Sequence, residues 1–156
     1  LLTLTVLLAG CATSGSVSLT PEARDTIVAS AASMIGNPNQ LLALEVGSSG
    51  PTADATFIAM SKSGGPSKIA KQVADILSKT EGQAVSVLLF GPNSKKVRQV
   101  ASDAFGLTKG KNLTKVTFLF HGDVSDFQEL TKEADFAGTM IRVPSESSPK
   151  PPEGTR

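Results

Sequence analysis

Apolar residues recur along this chain with two periods, and they divide it into alternating helices and strands. From Thr20 to about Ile35, the residues Ile27, Ala31, Met34 and Ile35 share one face at helical spacing. Thr20 stands where an N-cap hydroxyl is wanted, Pro21 fits the first helical position, and Glu22 suits the positive end of the dipole. Gly36-Asn37-Pro38 ends this helix. Two short apolar runs follow, Leu41 to Val46 and Ala55 to Met60, and both read as strands. The segment between them is too short for a crossover helix, so this first strand is expected to be antiparallel to the second or not paired with it.

From there the alternation is regular. A helix from about Ser67 to Lys79 places Ile69, Val73, Ile76 and Leu77 together and stops near Gly82. The run Ala84 to Phe90 is almost wholly apolar, as a strand covered on both faces should be. A helix from about Ser94 to Phe105 turns Val97, Val100, Ala101 and Ala104 inward, with Gly106 as its expected terminator. Val116 to Phe120 is the next strand. Ser125-Asp-Phe-Gln128 has the form of a capping box opening a helix to about Asp135, and Met140 to Val143 is the last strand. This order predicts a small, three-layer α/β domain, Rossmann-like, with a largely parallel sheet and helices on both faces. Phe57, Phe90, Phe118 and Phe120 fall on expected strands and read as core.

Composition narrows the chemistry. The 156 residues are 40% apolar and 19% charged, enough to build a core, and one domain accommodates them. A net charge of +1 leaves no electrostatic footprint for nucleic acid. One Cys and one His exclude a Cys/His zinc site, a disulfide framework and a Cys-x-x-Cys redox pair, and no cofactor motif or metal site is expected. All seven aromatic residues are Phe, so stacking platforms for bases are not expected either.

The most specific motif lies at the start. Leu1 to Gly10 is uncharged, mostly apolar, of the length of a signal-peptide h-region and too short to span a bilayer. It runs into Leu8-Ala9-Gly10-Cys11, which resembles the lipobox of bacterial lipoproteins. The resemblance covers only about the first twenty residues. It implies a signal peptide at 1–10, truncated at its start, cleavage before Cys11, and a diacylglyceryl-modified Cys11 as the mature N-terminus. Several acyl chains hold a protein on a membrane stably where one does so marginally. Residues 11–19 then form the lipidated Cys and a small, polar tether, residues 20–143 the single α/β domain, and 144–156 a disordered tail rich in Pro and Ser. Ala12 rather than Asp follows the Cys, which by the same resemblance implies the outer membrane, facing the periplasm.

Candidate chemistry is confined to three loops expected at the carboxyl ends of the parallel strands, where open α/β sheets bind ligands at a reversal of strand order. These are the loops holding Ser63, Gly64 and Gly65, then Asn93 and Ser94, then His121 and Asp123. The first could form a backbone nest, each leads to a helix N-terminus, and Lys62, Lys68, Lys95 and Lys96 are close in sequence. His121 and Asp123 form the only acid/base pair of that type. The plainer reading is that these residues are turns and caps and that Lys95 and Lys96 are a solvated helix edge. No Gly-x-x-x-x-Gly-Lys-Ser/Thr, Gly-x-Gly-x-x-Gly or Gly-x-Ser-x-Gly string occurs, so no catalytic residue is assigned. The expectation is a lipid-anchored envelope protein acting by protein–protein contact, as an accessory subunit of a secretion, conjugative-transfer or cell-wall assembly. The alternative is a periplasmic small-molecule or anion binder, with hydrolytic activity in its strongest form, using the strand-end loops.

Overall fold

The computed structural model describes residues 5–8 and 17–145; Cys11, most of the tether and the tail from 146 onward lie outside the described residues. The elements are β1 (Thr5–Leu8), α1 (Pro21–Ser33), a 3-10 turn (Pro38–Gln40), β2 (Leu41–Val46), α2 (Pro51–Gly64), α3 (Lys68–Lys79), β3 (Ser86–Phe90), α4 (Ser94–Leu107), β4 (Thr117–His121), α5 (Val124–Glu133) and β5 (Thr139–Val143). Strands β2 to β5 form a parallel sheet in chain order, and β1 lies parallel along the outer side of β2. The chain is thus an α/β protein of the expected class.

Strand alternation sends successive side chains to opposite faces, and each face has its own core. On one face Leu44, Val46, Val87, Leu89, Phe118 and Phe120 meet α3, α4 and α5 through Val73, Leu77, Val100, Ala104 and Leu130. On the other, Leu41, Ala43, Leu88, Phe90, Leu119 and Val143 are covered by α1 through Ile27 and Ala31. The larger core contains an aromatic knot: Phe105 meets Phe118 edge-on at 4.8 Å and stacks on Phe136 at 4.5 Å. The α1 helix is fixed to its face by a buried charge. Glu45 accepts from Arg24 Nε at 2.8 Å and from the Leu19 N–H at 2.8 Å.

Three expectations are corrected. Ala55 to Met60 is helical, inside α2, where Gly50 at φ 94° leads into Pro51 at the first helical position. The strand at 41–46 is therefore not antiparallel to a neighbour; it pairs parallel with β3, Leu41 opposite Ser86, because two helices rather than a turn now separate it from the next strand. Strand order never reverses, so there is no switch-point crevice. At a finer scale, Gly106 sits inside α4, which ends at Leu107, and α5 opens at Val124 with Asp123 as N-cap, leaving Ser125 within the helix. Met34 lies just past the end of α1 and is exposed.

One topological detail matters below. The α2–α3, α4 and α5 connections all pass over the same face of a sheet that advances in one direction, so they share a hand. The connection through α1 passes over the other face, so it turns with the opposite hand.

Candidate functional site

The carboxyl ends of β2 and β3 carry a polar cluster built around Asp54 in the first turn of α2. Its carboxylate is fully buried and accepts four hydrogen bonds. Ser48 Oγ donates to Oδ2 at 2.6 Å and Asn93 Nδ2 to the same oxygen at 2.9 Å. The Ser49 N–H donates to Oδ1 at 3.0 Å and Lys96 Nζ donates to it at 2.9 Å. The Gly50 N–H donates in turn to Ser48 Oγ at 3.1 Å. Burial alone would raise the Asp54 pKa; the Ser48 hydroxyl, the Ser49 amide and the Lys96 ammonium together outweigh it and hold the group below 3.8. Lys96 is itself buried, with its ammonium 4.8 Å from the centre of the Phe57 ring.

These residues meet because of how the loops are made. Gly91 leaves β3 so close to Val46 that a Cβ there would strike the Val46 carbonyl oxygen. Asn93 then caps α4, its Oδ1 accepting from the Lys96 N–H at 3.2 Å while its amide reaches Asp54. The next loop is pinned to this one. The Asp123 N–H donates to Ser94 Oγ at 2.9 Å, and a Cβ on Gly122 would collide with that hydroxyl.

Of the residues expected to converge here, Asn93, Ser94 and Asp123 do. They line a cavity of about 320 Å³ with Ser48, Pro51 and Lys95, at the N-termini of α2, α4 and α5. Ser63, Gly64 and Gly65 do not. They form the corner between α2 and α3, because the strand expected before them is a helix. Ser63 Oγ donates to the Ala59 carbonyl at 3.0 Å and the Gly65 N–H to the Ser61 carbonyl at 3.2 Å, so no free nest remains. His121 stands at the end of β4, and alternation after Phe120 places it on the α1 face rather than in the cavity. No hydrogen bond joins it to Asp123 among the described residues, and its buried Nδ1 has no partner. Burial, and then the Arg142 charge, push the His121 pKa below 6.5, against a smaller opposing pull from Asp123.

Lys96 is the largest departure from expectation. Lys95 is exposed as a solvated edge should be, whereas Lys96 is buried, since α4 turns that position toward α2. Asp54 and Ser48 carried no signal once Ala55–Met60 was read as a strand. A helix begun at Pro51 would have marked Asp54 as a first-turn carboxylate.

Chemically, the cluster is closed. Each Asp54 oxygen already has two donors, so the carboxylate presents no free lone pair to a substrate, and the Lys96 ammonium is held between Asp54 and the Phe57 ring. Among the described residues no group of three His, Cys, Asp or Glu is placed to hold a metal ion, and no helix is long and apolar enough to cross a membrane. Comparison with protein-family models, with curated proteins and with solved structures finds no match.

Proposed function

We propose that this chain is a lipid-anchored protein of the bacterial envelope, held by acyl chains on Cys11, whose domain works by contact with other envelope proteins. The observation that carries the reading is the orientation of α2. Only Asp54 and Ser61 of this helix are buried, and both are polar. Ser61 hydrogen-bonds Asp103 of α4, which also accepts from Gln99 at 2.9 Å. Phe57 packs on the core beside them, under the Lys96 ammonium, but Ala53, Ala55 and Ala59 are exposed and Met60 is 66% exposed. The inward face thus mixes Asp54 and Ser61 with Phe57, while the alanines and Met60 leave apolar surface in solvent, and exposed apolar surface of this kind supports docking onto a partner.

The test is native electrophoresis after extraction in mild detergent and cross-linking. The wild type is expected in a larger species, and the double variant Ala53→Glu, Met60→Glu is expected to run alone. A wild type that also runs alone overturns the reading. Mass spectrometry of the N-terminal fragment tests the anchor, since cleavage before Cys11 and an acylated Cys11 are the expected result.

A second reading rests on the cavity beside Ser94, Lys95 and Asp123, which could take a small anion at the α4 N-terminus. Thermal stability in a panel of phosphate and carboxylate compounds tests it, since a ligand at a hundred times its Kd adds about 2.7 kcal/mol.

A further inference from the structure

We propose that cleavage before Cys11 opens the outer edge of β2 as a docking site for an extended, uncharged aliphatic segment of a partner protein, entering parallel to β2. The inference rests on the lipoprotein reading above and names the kind of contact that reading requires.

In the uncleaved chain the seat is filled. Residues 5–8, Thr-Val-Leu-Leu, lie parallel to β2 in a defined register, Thr5 opposite Ala43 and Leu8 opposite Val46. All four lie upstream of Cys11, so maturation removes the strand and leaves one side of the β2 backbone without its ladder. Such groups are a ready template for another strand. The other backbone pairing near this end, Val17 with Ser48, lies past the end of β2 and leaves positions 43–46 open.

Two further observations set this edge apart. The first is the hand of the α1 connection. About 98% of parallel crossovers share one hand, and the three that link β2 to β5 agree, whereas the one from β1 turns the opposite way. That is the geometry of a segment laid onto an existing edge. The second is the contrast between the two margins of the sheet. β5 is guarded: Thr139 is exposed, Arg142 lies within the strand, and Pro144 follows it. β2 has no Pro, Lys or Arg, five of its six residues are buried, and its single charge, Glu45, is turned to Arg24 under α1. It has the composition of an interior strand, and the leader shows what chemistry fits beside it.

The test compares the mature lipidated protein, extracted in detergent, with the Cys11→Ser precursor. Amide hydrogen exchange across 41–46 is read with and without a synthetic peptide of residues 2–8 carrying a charged solubilising tail. Exchange in this segment is expected to be faster in the mature protein than in the precursor, and the peptide is expected to slow it by about tenfold. The same peptide with Pro in place of Val6 and Leu7, one of which turns its N–H to β2 whichever way the alternation falls, should have no effect. Equal protection in both forms without peptide, or concentration-dependent protection showing that a second copy closes the edge, overturns the proposal. Mass spectrometry separates this failure from that of the parent reading: protein recovered with residues 1–10 and an unmodified Cys11 removes the lipoprotein reading itself.

Discussion

Lys96 and Asp54 meet at 2.9 Å, both buried, and they join the first turns of α4 and α2. Two charges taken out of water depend on each other, because the survivor of a broken pair is left buried and uncompensated. Asp54→Leu alone is therefore expected to destabilise the protein by about 3–5 kcal/mol, whereas combining it with Lys96→Met is expected to be far milder than the sum of the two single changes. Urea unfolding of the four proteins in a double-mutant cycle measures this.

The same pair sets an acid limit. The folded Asp54 pKa lies below 3.8, so the stability it contributes is complete above 3.8 and is lost as pH falls through the folded value. Comparing unfolding of wild type and Asp54→Asn as pH is lowered should show a stability gap that is constant above 3.8 and narrows below it.

His121 acts in the opposite range. Its folded pKa lies below 6.5, so the unfolded chain binds more protons between the two values, and stability rises with pH across that window. Wild type should lose stability as pH falls below 6.5, and His121→Gln should remove that part of the slope. Melting temperatures of both proteins across the window check it.

Glycines separate tight packing from open space. Gly91→Ala and Gly122→Ala would drive a Cβ into the Val46 carbonyl and the Ser94 hydroxyl, and each is expected to cost at least about 2 kcal/mol by forcing the strand-end loops apart. Gly106→Ala, in the last turn of α4 with nothing within 4 Å, is expected to stabilise by roughly 0.5 kcal/mol. Chemical unfolding midpoints decide all three.

Much of this architecture was legible in the sequence, and the part that was not has a specific cause. Helix α3 shows its buried stripe of Val73 and Leu77 plainly, and the Thr20 cap is real, with its Oγ1 accepting from the Ala23 N–H at 3.2 Å. The α2 helix was hidden because its inward face is mostly polar, Asp54 and Ser61 with Phe57 between them, while several alanines and Met60 face solvent, so no apolar stripe marked the helical period and Ala55 to Met60 looked like a short strand. That single error displaced Ser63, Gly64 and Gly65 from their true place and hid Asp54. Lys96 was illegible for a related reason. Two adjacent lysines look alike in sequence, and only the neighbouring helix determines which of them is enclosed.

A sheet whose strands lie side by side in the order they are written needs no segment to wait for a distant one. Once β2 and β3 have met, each later helix–strand unit has its final neighbour already in place, so β4 and then β5 can add in turn. Folding of this kind can proceed from the amino end while the rest is still being delivered, a property well matched to a chain that emerges end-first from a narrow exit.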